Sequence, residues 1–352
     1  MVGISLLTLA PGELGGSETY VRELLRALGQ VGELEYRVLL PPAAASLDTG
    51  LDMQIATEYR NAHGVPQRLA AMTLAALRPG PLRARLQDAE VVHYPLTLRI
   101  PPIERPTVVT LHDVQHLDLP HLFSRGERAF RTVAWHRSVR SADRVVVPSV
   151  FVRDRAVAKL RLDPERVRVV HSGVDHALFR PGDESREPFL LYPARRWGHK
   201  NHARLLEAFA VLRAERPELR LVLTGDPTPS SAPDGVEDRG LVSPGELASL
   251  YRRAAALVFP SLYEGFGQPP LEAMACGCPV ACSNAASLPE VVGDAARLFD
   301  PRDTEAIADA VRDVLDASGE WRTRGLARAA AFSWQATARG YDEVYGAFST
   351  RS

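Results

Sequence analysis

Cysteine and long apolar runs are scarce in this chain of 352 residues, and each scarcity argues against a class of protein. The three cysteines, Cys276, Cys278 and Cys282, lie in one short segment without a distant second pair. That spacing disfavours a zinc site, so we expect small buried thiols in a reducing compartment. No apolar run approaches the length of a membrane span, and the apolar N-terminus lacks the basic flank of a signal peptide. We therefore expect a cytoplasmic protein.

An excess of positive charge is also missing. The formal net charge is −1, which gives no electrostatic reason to expect a nucleic-acid partner. Lysine is almost absent: of the 42 lysine and arginine residues, only Lys159 and Lys200 are lysines. The hydrophobic content of 45% and the charged content of 24% are typical of a globular protein. The length favours two domains of roughly 170 residues each.

Apolar segments of strand length alternate with helical patterns along the chain. Strand-like runs in the first half cover residues 3–9, 36–40, 91–94, 107–111, 144–148 and 167–171, and helical patterns cover 18–29, 66–77 and 126–141. We expect irregular loops at 41–66 and at 226–238, where proline, alanine or serine accumulates. Residues 180–188 predict a linker, after which the alternation restarts. This order predicts an α/β protein with parallel, doubly wound sheets.

One stretch in the second half combines glycines, prolines and two carboxylates between two apolar segments. It runs through Glu264, Gly265, Phe266, Gly267, Gln268, Leu271 and Glu272. The pattern predicts a strand, a glycine-rich loop and a short helix over 271–276 with Gly277 at its C′ position. Such a helix start can bind phosphate, because it presents unpaired N–H groups and a partial positive charge. Two alternatives stay open: Glu272 as a cap of its own helix, and Glu264 as a solvated acid.

This whole stretch resembles the Glu-x7-Glu motif of retaining glycosyltransferases of family 4, which have the GT-B fold. The match includes Gly-Phe-Gly and Glu-Ala-Met-Ala-x-Gly-x-Pro-Val, with Gln268 where the family usually has an apolar residue. The resemblance extends over nearly the full chain. It implies two Rossmann-like parallel-sheet domains facing across a cleft. These would be an acceptor-side domain over 1–182, a nucleotide-sugar domain over 183–334, and a helix over 335–352 that crosses back to the first domain.

Other segments of the second half match the family as well. Arg195 and Lys200 follow the strand-like run at 189–194 in an Arg-x4-Lys spacing, and Leu241 and Val242 precede a helical pattern. The resemblance implies that Arg195 and Lys200 contact the donor pyrophosphate. It also implies that the backbone of Leu241 and Val242 contacts the nucleotide base. A basic surface turn is the alternative for the first segment. The compact ammonium of a rare lysine suits a point contact with phosphate.

The first half offers two further candidates. Gly15 and Gly16 follow the first strand-like run, where the family has a glycine loop that faces the donor; a purely structural turn is the alternative. His112 ends the run at 107–111 and matches the family's His-Asp pair, whose ring lies near the transferred sugar. A core histidine is the alternative. His116 completes a His-x3-His spacing, but we expect no metal pair because no helix is predicted there.

The resemblance implies transfer of a hexosyl group from a UDP- or GDP-sugar to an acceptor hydroxyl on a glycan, a lipid-linked sugar or a natural product. His112, Glu264, Arg195 and Lys200 would be catalytic, and the stretch from Gly265 to Glu272 would bind the donor. Enzymes that neutralise a diphosphate with a divalent cation commonly present two acids as Asp-x-Asp, so that both carboxylates reach one ion. None of the 20 aspartates here has another aspartate two positions away, so we expect no metal ion. We also expect no cofactor, since the nucleotide-sugar is a substrate. A catalytically silent partner subunit, a nucleotide-sugar 2-epimerase or a phosphorylase remain rival functions.

An arginine-rich segment at 125–144 carries Phe130, Val133 and Trp135 on one predicted face. A solvated charge face is the ordinary interpretation of such a pattern. Peripheral contact with an anionic membrane is the functional alternative.

Overall fold

The protein consists of two compact units, each built around a parallel sheet. The computed structural model describes residues 1–13, 15–47, 49–59, 64–226 and 233–349. The first unit comprises Met1–Gly173 and Trp334–Ser352, and the second comprises Val174–Ser333. Parts of the two predicted loops at 41–66 and 226–238, and the last three residues of the predicted C-terminal helix, lie outside the described residues.

The first unit contains seven parallel strands in the order β3-β2-β1-β4-β5-β6-β7. They are β1 Val2–Ser5, β2 Tyr36–Leu40, β3 Asp52–Ile55, β4 Val91–Tyr94, β5 Thr107–Thr110, β6 Arg144–Val147 and β7 Val167–Val169. The central strands are buried along nearly their whole length, because helices cover both faces of the sheet. The strand order reverses between β1 and β4, which makes their carboxyl ends the expected ligand position.

Short and long helices connect the strands of the first unit. They are α1 Gly16–Val31, α2 Val65–Leu77, α3 Gly80–Ala84, α4 Gln115–Asp118, α5 Arg125–Phe130, α6 His136–Ser141 and α7 Val150–Leu160. A π-helical turn, Arg131–Trp135, joins α5 to α6, and 3₁₀ turns lie at Pro42–Ala44, Pro120–Leu122 and Pro164–Arg166.

The second unit contains six parallel strands in the order β10-β9-β8-β11-β12-β13, with the reversal between β8 and β11. They are β8 Glu187–Pro193, β9 Arg220–Thr224, β10 Val236–Asp238, β11 Ala254–Phe259, β12 Val280–Ser283 and β13 Arg297–Phe299. Its helices are α8 His202–Glu215, α9 Pro244–Arg253, α10 Gln268–Ala275, α11 Leu288–Val292, α12 Thr304–Asp316 and α13 Ser318–Ala329, with a 3₁₀ turn at Gly198–Lys200.

The last helix, α14 Trp334–Ser349, belongs to the first unit, where it packs against α1. Within the part of the chain that the structure describes, no helix is long and apolar enough to cross a bilayer. The boundary of the second unit precedes the predicted linker. Val174 and Phe179 are already buried in the second core, and the Val174 N–H donates to the carbonyl of Phe332.

The end of α10 confirms one local prediction from the sequence. Gly277 adopts a positive φ of 71° at the C′ position, which favours glycine. Its N–H donates to Met274, and the Cys278 N–H donates to Ala273, which together form a Schellman motif. All three cysteines are buried thiols, as predicted, and burial raises the pKa of Cys276 to about 12.

Several elements differ from the sequence prediction, among them two strands and one helix of the described residues. Strands β3 and β10 form where we expected irregular loops. Both are edge strands with partly exposed side chains, so neither shows the apolar run that marks a buried strand. The four-residue helix α4 forms directly after His112 and Asp113, because the Asp113 carboxylate accepts the N–H of Gln115 and thereby starts the turn.

Candidate active site

The two strands at the reversal of the second sheet each end in a loop that carries candidate residues. Strand β8 continues into Arg195 and the 3₁₀ turn that contains Lys200, whereas β11 continues into Glu264 and then into α10. Open parallel sheets bind ligands at the carboxyl ends of strands where the order reverses. These two loops therefore form the candidate site of the second unit.

An ion pair connects the two loops. The Lys200 Nζ lies 2.6 Å from Glu264 Oε1, and their side chains are only 13% and 14% exposed. The ammonium also lies 5.5 Å from the centre of the Phe259 ring at the end of β11. The Tyr192 hydroxyl donates to the Lys200 carbonyl at 2.5 Å, which fixes the backbone that carries the ammonium. The pair is a charge-assisted hydrogen bond in a largely desolvated position.

Hydrogen bonds from the Asn201 side chain and from one backbone N–H hold the same two loops together. Asn201 adopts a left-handed conformation with φ 59°, and its amide donates to the carbonyls of Pro260 and Pro301 at 3.1 and 2.7 Å. The Leu262 N–H donates to the His199 carbonyl at 2.8 Å. Asparagine tolerates this backbone region better than most residues, which explains its position at the end of the turn. The two loops consequently behave as one connected structure.

The adjacent arginines have different roles. Arg196 forms ion pairs with Asp226, at 3.2 Å, and with Asp238, so it joins the loop after β9 to the end of β10. The Arg195 guanidinium lies 5.6 Å from the centre of the exposed Trp197 ring. Arg196 is therefore committed to these ion pairs, and Arg195 stays the candidate that the sequence motif predicts.

The loop before α10 is fixed by a serine that sequence reasoning did not assign to the site. The Ser287 hydroxyl lies 2.9 Å from the Glu264 carbonyl and 2.7 Å from the Phe266 carbonyl. Ser287 is fully buried, so its hydroxyl holds both ends of the Gly265 turn away from water. In the sequence, Ser287 begins a Ser-Leu-Pro-Glu stretch that also resembles the family pattern, but nothing in that stretch indicates a contact with the loop before α10.

Helix α10 begins three residues earlier than predicted. Its N-cap is Gly267, with φ 114°, and its first residue is Gln268. Pro269 and Pro270 follow, and neither carries an N–H group. Backbone donors at this helix start are therefore restricted to Gly267 and Gln268, fewer than the predicted phosphate site assumed. Leu271 is fully buried and packs in the core.

Glu272 is the fifth residue of α10 and does not cap its own helix, so that alternative is wrong. Its side chain is 8% exposed, and Oε2 accepts a hydrogen bond from the Tyr251 hydroxyl of α9 at 3.0 Å. Burial raises the pKa of Glu272 to about 7, although the Tyr251 hydrogen bond opposes this. Oε1 accepts no hydrogen bond from the described residues. Tyr251 was also missed by sequence reasoning, because a buried tyrosine resembles any core residue.

The remaining candidates of the second unit lie after β10. Gly240, with φ 66°, turns the chain, and its carbonyl accepts from the Gly225 N–H and the Thr224 hydroxyl at 2.8 and 2.7 Å. The Leu241 side chain is 65% exposed, whereas Val242 packs partly against the core.

In the first unit, the two candidate glycines precede and begin α1. Gly15 is its N-cap, with φ 56° and ψ −129°, and Leu14 before it lies outside the described residues. A Cβ added at Gly16 would meet no described atom within 4 Å, so packing does not require glycine there. The Glu18 carboxylate accepts the Gly12 N–H at 2.7 Å and holds the loop. This leaves open space at the helix start.

His112 follows β5, next to the reversal of the first sheet. Its Nε2 lies 2.8 Å from the Pro95 carbonyl, which can only accept, so Nε2 carries the proton and Nδ1 is an acceptor. Burial lowers the pKa of His112, although Pro95 and the neighbouring Asp113 act in the opposite direction. The ring is therefore a neutral hydrogen-bond acceptor at physiological pH.

His116 lies apart from this arrangement. It is buried in α4 with Nε2 3.1 Å from the Nε2 of His136, and burial lowers its pKa to about 4. His112 precedes α4, so the two do not share a helix face as a metal pair would. The described residues contain no cluster of three or more His, Cys, Asp or Glu side chains placed to hold a metal ion.

Comparison with solved structures defines the class of fold. HepE from Anabaena, solved in complex with UDP-glucose, matches with a TM-score of 0.76 at 17% identity, over 98% of this chain and 99% of that one. Sucrose-phosphate synthase from Thermosynechococcus elongatus matches with a TM-score of 0.75 at 20% identity, over 100% and 99%. The two parallel α/β units are those of the GT-B fold, as predicted.

Sequence comparison then defines the family. The model of glycosyl transferases group 1 matches residues 176–326, and that of glycosyltransferase family 4 matches residues 14–178. An MMP α-(1→4)-mannosyltransferase from Mycolicibacterium hassiacum is 30% identical over 94% of this chain and 94% of the relative. The chain belongs to the glycosyl transferases group 1 family, which confirms the resemblance found in its motifs.

The buried Glu272 carboxyl makes the stability of the second unit depend on pH. Its pKa in the folded protein, about 7, lies above the ordinary value of 4.5. The protonated form is therefore favoured by folding, and this stabilisation is complete below pH 4.5 and is lost as pH rises through 7. The loss is on the order of 3 kcal/mol. Glu272→Gln, which cannot ionise, should gain thermal stability over wild type between pH 5 and pH 8.

The measurement is the melting temperature of both proteins at pH 5 and at pH 8, with Glu305→Gln as an exposed control. A Glu272→Gln protein whose advantage over wild type does not grow between these pH values would contradict the raised pKa.

Proposed function

We propose that the protein transfers a hexosyl group from a UDP- or GDP-sugar to an acceptor hydroxyl, with retention of configuration and without a metal ion. The observation that carries the proposal is the Lys200–Glu264 pair at the switch point of the second sheet, beside the start of α10. A mannosyltransferase among the relatives and a UDP-glucose complex among the structural neighbours support this donor class.

Lys200 and Arg195 supply the charge that a diphosphate leaving group requires. A lysine ammonium has three donors, so Lys200 can bind Glu264 and a phosphate oxygen at the same time. The backbone of Gly267 and Gln268 belongs to the loop after β11 that also carries Glu264, and it lies at the positive end of α10. When the bond between the sugar C1 and the diphosphate oxygen breaks, these groups stabilise the negative charge that develops.

The two carboxylates have separate roles because they have different partners. Glu264, which forms an ion pair with Lys200, accepts hydrogen bonds from sugar hydroxyls and stabilises the positive charge that develops at C1. Glu272 has one oxygen bound to Tyr251 and one oxygen without a partner among the described residues. The second oxygen is placed to accept from ribose hydroxyls, as an acidic residue does in dinucleotide-binding folds.

Retention is supported by the environment of His112. An inverting reaction needs a base that takes the acceptor proton, and a catalytic histidine base is typically oriented by a carboxylate that stabilises its charged form. Here a backbone carbonyl accepts from Nε2, and burial lowers the pKa of His112. His112 therefore positions a hydroxyl through Nδ1, while the departing diphosphate takes the acceptor proton.

The rival functions make distinct demands. A silent partner subunit would bind nucleotide-sugar without turnover, a 2-epimerase would act without an acceptor, and a phosphorylase would need inorganic phosphate.

The proposed acceptor is a hydroxyl of a glycan, a lipid-linked sugar or a natural product. Peripheral contact with an anionic membrane is part of the proposal. Phe130 and Val133 are 36% and 70% exposed beside the arginines of α5 and α6, whereas Trp135 turns towards the core.

The first test is a screen of UDP- and GDP-sugars for thermal stabilisation, followed by turnover with the best donor. A bound donor should raise the melting temperature by mass action, and the product should keep the anomeric configuration of the donor, as measured by proton NMR. Stabilisation without transfer or hydrolysis would indicate a silent subunit, and an inverted product would contradict retention.

The carboxylates should affect different kinetic constants. Glu272→Ala should mainly raise the donor KM, because ribose contacts exist in the ground state and the transition state alike. Glu264→Gln keeps the shape but removes the charge, so it should lower kcat more than it raises KM. Steady-state kinetics with the true donor measure both constants. Full kcat/KM in both variants would show that this interpretation of the motif is wrong.

Transfer should persist in excess EDTA, because fixed cationic groups replace a divalent ion. Lys200→Ala should slow transfer at least tenfold, or about 1.4 kcal/mol. Lys159→Ala is the matched control, since that lysine is 44% exposed and lies 4.0 Å from Asp118 in the other unit. Activity that EDTA abolishes and magnesium or manganese restores would refute metal independence, as would a Lys200→Ala enzyme at full rate.

A further inference from the structure

A continuous chain of hydroxyl and imidazole groups crosses the interior of the first unit. The Tyr345 hydroxyl lies 2.7 Å from His93 Nδ1, and His93 Nε2 lies 2.8 Å from the Thr110 hydroxyl. Thr110 contacts the Tyr341 hydroxyl at 2.6 Å, and Tyr341 contacts the Tyr20 hydroxyl at 2.5 Å. None of the five residues is more than 6% exposed. The chain joins α14 to β4, β5 and α1.

Every contact in this chain can be a hydrogen bond without any net charge. Burial lowers the pKa of His93 to about 3, so its ring is neutral and carries one proton. The protons can all be directed towards Tyr20 or all towards Tyr345, or they can converge on the Thr110 or Tyr341 hydroxyl, which then accepts from both of its neighbours. Each arrangement leaves one O–H without an acceptor within the chain. Apolar side chains would fill the same space, whereas directional hydrogen bonds specify a single position for each ring.

The chain ends at a ring that contacts His112. The Tyr20 ring meets the His112 ring edge-on, with centroids 4.9 Å apart and planes at 84°. Trp334, the first residue of α14, meets the Tyr20 ring with centroids 5.5 Å apart. The hydrogen bond from Nε2 to the Pro95 carbonyl fixes one atom of the His112 ring, but Nε2 lies close to the Cβ–Cγ axis, so this bond alone restrains rotation about that axis only weakly. The Tyr20 ring opposes this rotation.

We propose that Tyr20 is a positioning residue for His112 and that α14 holds it, through Tyr341 at the hydroxyl and Trp334 at the ring. The inference rests on the proposed function, in which Nδ1 of His112 accepts from a substrate hydroxyl. The direction of that lone pair depends on the ring orientation that Tyr20 maintains. The C-terminal helix therefore contributes to the site although it supplies no residue that touches substrate.

Removal of single hydroxyls tests the proposal with the rings kept in place. Tyr20→Phe and Tyr341→Phe should each lower kcat roughly threefold to tenfold at an unchanged donor KM. Tyr36→Phe is the matched control. The Tyr36 hydroxyl also bonds to α14, through Asp342, but it is not part of the chain that ends at Tyr20. Its kcat should remain that of wild type.

Equal losses of kcat in all three variants would show that only the docking of α14 on the first unit affects the rate. Wild-type kcat in both Tyr20→Phe and Tyr341→Phe would show that the hydroxyl chain does not affect the rate. Either result overturns the proposal. The double variant Tyr20→Leu/His112→Ala should be no slower than His112→Ala alone, because the two residues act as one unit. Additive losses would contradict the assignment.

A measurement without turnover separates this inference from the proposed function. Imidazole NMR titration of the ligand-free protein reports His112 directly. In Tyr20→Leu the His112 ring gains solvent, so its pKa should rise towards the ordinary value of 6.5. Asp113 and His93, the titratable groups that act on it, are unchanged. In Tyr20→Phe the same resonances should broaden or shift.

Two results then remain distinct. If no nucleotide-sugar is turned over by wild type, the proposed function fails, yet the titration still tests the contact. If His112 titrates as in wild type in both Tyr20 variants, the positioning role is refuted whatever the enzyme transfers.

Discussion

The Lys200–Glu264 ion pair is the interaction on which the candidate site depends. It joins the loops after β8 and β11, where the second sheet reverses direction, and it does so in a position with little access to water. A partly buried charge without its partner is costly, so each residue of the pair requires the other. The surrounding contacts serve this pair: Asn201 fixes the turn that carries Lys200, and Ser287 fixes the turn that carries Glu264. An anionic ligand would share Lys200 with Glu264 rather than displace it.

The first unit uses a different physical principle around His112. Among the residues that the structure describes, no ion pair involves this ring; a carbonyl and an aromatic ring contact it instead. Each contact of the polar chain behind Tyr20 has a donor and an acceptor, and the chain is uncharged, which permits burial without an ion pair. One unit thus presents fixed charge, and the other presents a fixed hydrogen-bond acceptor. In the proposed function, the fixed charge would stabilise an anionic leaving group, and the fixed acceptor would bind a neutral hydroxyl.

Sequence patterns predicted the fold class, most central strands and the family, because buried parallel strands and the Glu-x7-Glu stretch carry strong local signals. The edge strands β3 and β10 were missed, since their side chains are partly exposed and lack an apolar run. Glu272 was recognised, but Tyr251 was not, because their contact joins two helices and has no local pattern. The same holds for Tyr20, whose importance follows only from contacts with residues more than three hundred positions later in the chain. Local motifs identified candidate residues, and tertiary contacts supplied their environment.

The discontinuous composition of the first unit has a consequence for biosynthesis. A ribosome releases the seven strands of this sheet first, then the entire second unit, and only afterwards α14. Until that helix emerges, Thr110 and His93 lack the tyrosine hydroxyls that complete their hydrogen bonding, and the apolar face of α1 lacks its cover. The nascent first unit would therefore remain incomplete while a whole second domain is translated, and chaperone binding at the uncovered part of α1 would be expected during that interval.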